Sequence, residues 1–348
     1  MKKYVSLLQK MIVTPSLSKE EEKTADLIQQ FLQAENILMN RLKNNIWITN
    51  KCFDSNKSTI LLNSHHDTVK PAASYTRNPY NASIENGKLY GLGSNDAGGA
   101  LVTLLATFLY FYEREDLSYN LVFVASAEEE ISGKNGIALV LPELGDIAVG
   151  IVGEPTQMQM AVAEKGLMVI DGTAKGKSGH AAREEGENAI YKAIQDVDYI
   201  KNLQLEKTSA LLGATKMTVT QISAGTQHNV VPDECRFVID VRTNECYSNQ
   251  EVFDILQKNT KSELQARSFR LNSSSILLDH ALVERGKKLG LTHYGSPTLS
   301  DQSLMSFPTL KIGPGDSARS HTADEFIYIQ EMEEAFEIYK QLLENLVL

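Results

Sequence analysis

Cysteine is scarce in this 348-residue chain, which contains only Cys52, Cys235 and Cys246. Three is an odd number, and no two of them have the CxxC spacing of zinc sites and redox centres. The scarcity argues against a disulfide framework, on which many small secreted proteins depend. We therefore expect three unreactive thiols and a location in the reducing cytoplasm.

Long hydrophobic runs are also missing. No window approaches the roughly 18 uninterrupted apolar residues that a membrane-spanning helix needs. Gln9, Lys10 and Pro15 interrupt the apolar residues of the amino terminus, which lacks the continuous core of a signal peptide. We interpret this segment as an amphipathic helix of the mature protein and expect no membrane partner.

Positive charge is in deficit, because 34 lysines and arginines face 44 aspartates and glutamates, for a formal net charge of -10. An acidic surface repels nucleic acids and anionic membranes, so we expect neither as a partner. The chain is nevertheless 42% hydrophobic, which is enough to bury a sizeable core. Small molecules and proteins remain as candidate partners.

Helical and strand-like segments alternate through the first 165 residues. The pattern predicts helices at 20–34 and 99–112 and strands at 46–50, 59–63, 120–126 and 147–152. Such alternation is typical of a mostly parallel sheet flanked by helices. We therefore predict an α/β fold for this part of the chain.

The pattern changes after Lys165. Strands are predicted at 166–172, 214–223 and 234–243, and helices at 188–202 and 249–265. This order is typical of a small α+β domain with a two-layer sandwich. Helical patterns resume at 281–289 and 329–346. We therefore predict a catalytic domain of residues 1–165 and 275–348, interrupted by an inserted domain of residues 166–274.

Histidine is rare, with seven in the chain, yet two adjoin an aspartate in LLNSHHDTVKP, directly after a predicted strand. Acidic groups also follow the later apolar segments of the first half, and a further histidine lies downstream. These candidates are His65, Asp67, Asp96, Glu128 to Glu130, Glu154 and His321. Ligands bind at the carboxyl ends of strands in open α/β sheets. Histidine and carboxylate without cysteine suit catalytic zinc, cobalt or manganese.

Each candidate also has a simpler interpretation. An aspartate before two glycines, such as Asp96, is commonly a turn residue. Three glutamates in a row usually form a solvated surface, and a single histidine is usually an ordinary polar residue. The metal hypothesis rests on the joint occurrence of these residues after successive apolar strands.

Seven sequence strings resemble, in order and over nearly the whole chain, motifs of one enzyme family. They are NSHHDTV, YGLGSNDAGGA, SAEEEISG, VGEPT, KSGHAA, NVVPDECRFVIDVR and GPGDSARSHTADEF. The family is that of the dizinc deacylases and exopeptidases, which includes acetylornithine deacetylase, succinyl-diaminopimelate desuccinylase, aminoacylase and carboxypeptidase G. The first two strings look most similar to the acetylornithine deacetylase members.

The resemblance implies two zinc ions, with cobalt or manganese as possible substitutes. His65 and Glu154 would bind one ion, Glu130 and His321 the other, and Asp96 would bridge both. Asp67 would accept a hydrogen bond from the His65 imidazole and fix its tautomer. His66 stands where the family usually has a small polar residue, and we expect it to be structural or to support the ligands.

The resemblance also implies that Glu129 is the general base. Two metal ions lower the pKa of a water between them, and a nearby carboxylate can move its proton to the departing nitrogen. This assignment aligns Glu128 with the aspartate of the family's Asp-Glu-Glu pattern. The register within the three glutamates depends on that alignment alone.

In the inserted domain, His180 matches a histidine that stabilises the oxyanion in the other subunit of family members, which implies a homodimer formed through this domain. The simpler alternative is that His180 caps the following helix. Asn229 and Arg242 match substrate-binding positions, although the strand pattern also allows Arg242 to be an ordinary surface residue. Gly313 begins a loop that resembles the family's glycine-rich substrate loop.

The resemblance predicts hydrolysis of the amide of an N-acyl amino acid, with an acetyl or succinyl group on ornithine or citrulline, in arginine biosynthesis. A metallo-exopeptidase for di- and tripeptides and a succinyl-diaminopimelate desuccinylase remain as alternatives. A non-catalytic relative is disfavoured because all five ligand positions and Glu129 hold competent residues. Lys165 and the segment Ser300 to Ser303 depart from the family pattern, which affects the substrate prediction only.

Overall fold

A computed structural model describes every residue from Met1 to Leu348. The helices are α1 (Lys2–Ile12), α2 (Glu22–Ala34), α3 (Gly99–Phe111), α4 (Ile137–Val140), α5 (Ala189–Asn202), α6 (Asn249–Asn259), α7 (Ala281–Lys288) and α8 (Ile329–Leu343). The strands of the first half are β1 (Asn40–Leu42), β2 (Asn45–Thr49), β3 (Thr59–His65), β4 (Ile84–Glu85), β5 (Lys88–Tyr90), β6 (Asn120–Ser126), β7 (Val149–Val152) and β8 (Met160–Glu164). The later strands are β9 (Met168–Lys175), β10 (Gly179–His180), β11 (Lys216–Ala224), β12 (Val230–Val231), β13 (Glu234–Arg242), β14 (Glu263–Ala266), β15 (Ser274–Ser275), β16 (His293–Ser296), β17 (Thr309–Lys311) and β18 (Phe326–Tyr328).

Two compact units make up the chain. The first contains Met1–Val162, Ser275–Tyr294 and Ser300–Leu348. The second contains Ala163–Ser274 and Gly295–Leu299. The chain therefore leaves the first unit within β8 and returns to it at β15. No helix in either unit combines the length and the apolar character needed to cross a membrane.

The main sheet of the first unit has the strand order β1-β2-β6-β3-β7-β17-β8-β15. Its centre is parallel, because β3 pairs in parallel with β6 and β7, and β17 pairs in parallel with β7. Helix α4 packs on one face, where Ile137 and Val140 share a cluster with Leu61 and Val122. Helix α3 packs against β3 and β6 on the other face, where Phe108 meets the ring of Phe123. The predicted α/β fold with a mostly parallel sheet is confirmed.

The register of the central strands brings their carboxyl ends into line. His65, the last residue of β3, pairs with Ser126, the last residue of β6. On the other side of β3, Asn63 pairs with Val152, which ends β7. Both β3 and β6 are buried throughout because helices cover the two faces of a parallel sheet. Polar residues that follow these strands consequently emerge at one edge of the sheet.

The second unit contains a four-stranded antiparallel sheet of order β11-β13-β9-β14. Alternate residues of β13, among them Phe237, Ile239 and Val241, are buried in a core that includes residues of α5 and α6. The intervening residues, including Arg236 and Arg242, lie on the opposite face, as the period-2 pattern of a strand requires. A four-stranded sheet and one helical layer form the core of this unit, and β10 pairs with β12 in a separate two-stranded sheet.

The predicted helix over residues 249–265 is wrong in its second half. Helix α6 ends at Asn259, and Glu263–Ala266 is strand β14, paired with β9. The buried carboxylate of Asp196 accepts hydrogen bonds from the backbone N–H groups of Lys261 and Ser262. These bonds hold the chain after α6 in a non-helical path and place the following residues at the sheet edge.

Candidate metal centre

His65 lies at the centre of a group of carboxylates. Its ring is buried, and its Nε2 atom is 3.3 Å from Asp96 Oδ1 and 3.8 Å from both Glu129 Oε2 and Glu154 Oε1. On the other side of the ring, Nδ1 is 3.0 Å from the backbone oxygen of Asp67. An Nδ1–H donated to that oxygen leaves the lone pair of Nε2 directed at the carboxylates, which is the state of a metal-binding histidine.

A second imidazole faces the same aspartate from the other side. His321 Nε2 is 3.0 Å from Glu130 Oε2 and 3.6 Å from Asp96 Oδ2. Asp96 therefore directs one carboxylate oxygen towards His65 and the other towards His321. This is the arrangement that a carboxylate shared by two cations requires.

Two carboxyl groups beside His65 have raised pKa values. Glu154 Oε1 is buried without a hydrogen bond, and burial together with Asp96 raises the pKa of Glu154 to about 8. Burial, reinforced by Glu154 and Asp301, also raises the pKa of Glu129 well above its usual value, although His65 opposes this shift. The pocket holds more negative charge than its own hydrogen bonds stabilise.

The same negative charge raises the pKa values of the two imidazoles. Burial alone would lower the pKa of His65, but the surrounding carboxylates raise it well above its usual value. The hydrogen bond to Glu130 raises the pKa of His321 to about 9. A divalent cation would supply the positive charge that these groups otherwise gain as protons. The donor set of two histidines and several carboxylates therefore fits a pair of zinc-like ions.

Asp67 connects His65 to the two following glutamates. Its Oδ1 accepts from the backbone N–H of Glu129 at 3.0 Å, and its Oδ2 accepts from that of Glu130 at 3.2 Å. Ser18 Oγ donates to Oδ2 at 2.7 Å. Asp67 Oδ1 is 3.4 Å from His65 Nδ1, farther than the carbonyl oxygen of the same residue. The main contacts of the Asp67 carboxylate are thus with the turn that carries Glu129 and Glu130.

The three consecutive glutamates occupy different environments. Glu128 has a left-handed backbone, with φ of 54°, and its side chain points to Asn135, whose backbone N–H and side-chain amide both donate to it. Glu129 and Glu130 lie beside His65 and His321, respectively. Glu128 therefore lies outside the cluster of candidate ligands.

The model of peptidase family M20/M25/M40 matches residues 61–345. The chain belongs to this family. The acetylornithine deacetylase of Proteus mirabilis is 27% identical, with 99% of this chain and 97% of that protein aligned. A succinyl-diaminopimelate desuccinylase of Cereibacter sphaeroides is 25% identical over 73% of this chain and 71% of its own length.

The fold also matches a solved structure of the family. A dinuclear metal-binding M20 peptidase from Bacillus subtilis superposes with a TM-score of 0.74 over 98% of this chain and 97% of that chain, at 17% sequence identity. These findings confirm the family predicted from the sequence motifs. They make the protein an M20 metal-dependent hydrolase whose relatives include deacylases and peptidases.

His66 is separate from the cluster, although it is adjacent to His65. Its Nδ1 is 2.9 Å from Thr24 Oγ1, and its Nε2 is 2.8 Å from the backbone oxygen of Asn44. Burial lowers the pKa of His66 to about 4. A neutral His66 therefore links the end of β3, through these two hydrogen bonds, to α2 and to the turn before β2.

Gly313 lies against Glu154 in this M20 protein. Its N–H donates to Thr156 Oγ1 at 3.0 Å. A Cβ atom at this position would be 2.5 Å from the Glu154 backbone oxygen, so only glycine permits this close approach. The structure thus shows Gly313 supporting the loop of Glu154.

The three candidate residues of the inserted segment lie in the second unit. His180 and Asn229 belong to one exposed tip, where the N–H of Ala181 donates to the Asn229 backbone oxygen at 3.0 Å. The ring of His180 accepts through Nδ1 from the N–H of Ala182, which leaves Nε2 unused by that contact. Arg242 donates from two nitrogens to Asp240, at 2.8 and 3.1 Å.

Two buried carboxylates near the cluster were missed by the sequence reasoning. Glu325 accepts hydrogen bonds from the backbone of the turn that carries Asp96. Asp301, within the segment Ser300 to Ser303, accepts from Asn63 and Ser126, and burial raises its pKa to about 6. Their partners are remote in the sequence, so no local pattern signals either role.

Metal removal is predicted to destabilise the protein. Restoring zinc at about 100 times its dissociation constant after chelation should add roughly 2.7 kcal/mol per bound ion to the free energy of unfolding, because only the folded chain assembles the ligands. Calorimetric unfolding of the zinc-free and zinc-loaded protein measures the gain. Asp96→Ala should lose it, whereas Asp116→Asn, at a surface carboxylate paired with Arg114, should keep it. A wild-type protein whose stability is insensitive to zinc would contradict the assignment.

Proposed function

We propose that this M20 hydrolase is a dizinc deacylase that removes an acetyl or succinyl group from an amino acid such as ornithine or citrulline, in arginine biosynthesis. The proposal rests on one observation: Asp96 lies between two imidazoles and directs one carboxylate oxygen towards each of them. Glu129 is an additional carboxylate in the same cluster. The full-length similarity to the Proteus mirabilis acetylornithine deacetylase supports the choice of an N-acyl amino acid. We propose the cytoplasm as its location.

In this proposal, His65 and Glu154 would hold one metal ion, Glu130 and His321 would hold the other, and Asp96 would be shared between them. Zinc is the proposed metal, with cobalt or manganese as substitutes. When bound, the ions would supply Lewis acidity for the acyl carbonyl and for a water. Glu154 Oε1, which is buried without a hydrogen bond, gains a partner in this arrangement.

Glu129 acts as the general base and then as the general acid. Its carboxylate takes a proton from the attacking water as the new C–O bond forms, and gives that proton to the amide nitrogen as the C–N bond breaks. The products are a carboxylate and a free amine. The raised pKa of Glu129 suits this role because a base needs appreciable proton affinity near neutral pH.

His180 stabilises the oxyanion from the partner subunit of a homodimer formed through the second unit. Its Nε2 is not used by the contact with Ala182, so an N–H at this atom can donate to the developing charge. Asn229, on the same tip, contributes to substrate binding, and Arg242 binds a substrate carboxylate. Because Arg242 already pairs with Asp240, its carboxylate-binding role requires a change of partner or the remaining nitrogen.

The register of the glutamates can be tested by three single substitutions. Glu129→Gln should lower kcat by about 10²–10⁴-fold without loss of metal, since only the proton-transfer group is removed. Glu130→Gln should lose metal, and Glu128→Gln should retain both metal and most activity because its side chain faces Asn135. Metal content and turnover of each purified variant give the result. A large loss of turnover in Glu128→Gln, with Glu129→Gln unaffected, would shift the register.

The substrate class is tested by release of free amine from a fixed panel. The panel comprises acetylornithine, succinylornithine, acetylcitrulline, succinylcitrulline, succinyl-diaminopimelate, Gly-Leu and a tripeptide. We expect zinc- or cobalt-dependent cleavage of one acetylated or succinylated ornithine or citrulline, and its loss in Glu129→Gln. Cleavage of peptides alone would assign an exopeptidase, and cleavage of succinyl-diaminopimelate alone would assign a desuccinylase.

The role of His180 in the partner subunit predicts complementation between two inactive variants. In a mixed dimer of His180→Ala and Glu129→Gln, one site receives an intact Glu129 and an intact His180 while the other site receives neither. After unfolding and refolding together, the mixture should recover about one quarter of wild-type activity, since half of the symmetric dimers are mixed. Recovery no greater than the sum of the two variants refolded separately would place His180 in its own subunit's site or outside the reaction.

A further inference from the structure

Glu325 concentrates three backbone hydrogen bonds on one buried carboxylate. The N–H groups of Asn95 and Asp96 both donate to Oε1, at 2.8 and 2.9 Å. The N–H of Gly93 donates to Oε2 at 3.1 Å. The residue is only 2% exposed, so water does not replace these contacts. Burial of a carboxylate costs free energy unless hydrogen-bond donors surround it. Moving any of the three N–H groups away would incur that cost, so the carboxylate fixes their positions.

The three donors belong to the turn that carries Asp96. The N–H of Gly91 adds a fourth contact, because it donates to the backbone oxygen of Glu325 at 2.9 Å. Glu325 accepts a hydrogen bond from the Asp96 backbone N–H and so fixes the position of that nitrogen. The nitrogen is bonded directly to the Cα atom that carries the Asp96 side chain. The direction of the Asp96 carboxylate therefore depends on Glu325.

Asp96 needs this constraint more than the other candidate ligands do. Its Oδ1 faces His65 and its Oδ2 faces His321, so a rotation that improves one contact worsens the other. Ligands of a metal centre must be held within about 0.5 Å of their working positions. His321 and Glu325 also lie four residues apart, so one short segment provides a ligand and the anchor of the shared ligand.

We propose that Glu325 is a positioning residue that holds Asp96 in its bridging orientation and thereby sets the affinity of the centre for its pair of metal ions. This inference rests on the proposed function, in which Asp96 binds both ions. Glu325 itself contacts neither metal nor substrate in the proposal.

The neighbouring residue Asp324 provides a matched control. Its carboxylate also accepts three hydrogen bonds, from the backbone N–H groups of Thr76 and Arg77 and from the Thr76 hydroxyl. It therefore accepts the same number of hydrogen bonds from an adjacent place in the chain, but it is more exposed than Glu325 and its donors belong to another loop. The test compares Glu325→Ala and Glu325→Gln with Asp324→Ala and Asp324→Asn in the full chain.

The primary readout is the affinity for zinc, measured by competition with a chromophoric chelator. Glu325→Ala should weaken zinc binding by about 10- to 100-fold, the usual effect of removing a residue that supports metal ligands. Glu325→Gln should lose less, because its amide oxygen can still accept from Asn95 and Asp96 while only the Gly93 contact becomes repulsive. Both Asp324 variants should bind zinc like the wild type.

The absorption spectrum of the cobalt-loaded protein separates positioning from general stability. Altered d–d bands in Glu325→Gln, at unchanged unfolding temperature of the metal-free protein, would show a change in coordination geometry. This measurement decides the question if Glu325→Ala does not fold. Wild-type zinc affinity and cobalt spectrum in Glu325→Gln, or an equal loss in Asp324→Asn, would overturn the inference.

Asp96→Ala distinguishes failure of this inference from failure of the proposed function. If Asp96→Ala loses zinc and the Glu325 variants do not, Asp96 is a ligand that needs no anchor, and only the inference fails. If Asp96→Ala itself binds two zinc ions like the wild type, Asp96 is not the shared ligand, and both proposals fail.

Discussion

Crowding of carboxylates around His65 and His321 is the constraint on which the rest of the site depends. Asp96, Glu129 and Glu154 all approach one imidazole nitrogen within 3.8 Å. The parallel sheet makes this crowding possible, because β3, β6 and β7 deliver their following residues to one edge. Such a concentration of buried negative charge is unfavourable without cations, so the fold and the metal centre are energetically coupled.

Backbone N–H groups secure the two segments that carry the charged side chains. Asp67 holds the turn of Glu129 and Glu130, and Glu325 holds the turn of Asp96. Both oxygens of each carboxylate accept hydrogen bonds from backbone N–H groups, so both residues act through the segments they anchor. This separation of anchoring and ligand carboxylates explains why an acidic cluster of this density can still have a defined geometry.

Local sequence patterns predicted the elements that position the site, since apolar runs such as residues 120–126 identify strands directly. They failed at residues 263–266, because Asp196 accepts hydrogen bonds from the N–H groups of Lys261 and Ser262 and ends the helical path before these residues. The ligand candidates were found because they follow strands and match family motifs. Glu325 was not found because its donors are 229 to 232 residues away in sequence, and only the folded chain brings them together. The Asp240 partner of Arg242 was two residues away, but nothing in the strand pattern specified the pairing.

The most direct test of the shared-aspartate centre is a crystal structure of the zinc-loaded protein with anomalous diffraction at the zinc edge. We expect two peaks roughly 3.5–4 Å apart, the spacing of a two-metal site. One should contact His65 and Glu154, the other Glu130 and His321, with Asp96 between them. A single peak at full occupancy, or two peaks without Asp96 as a common ligand, would contradict the shared-aspartate centre.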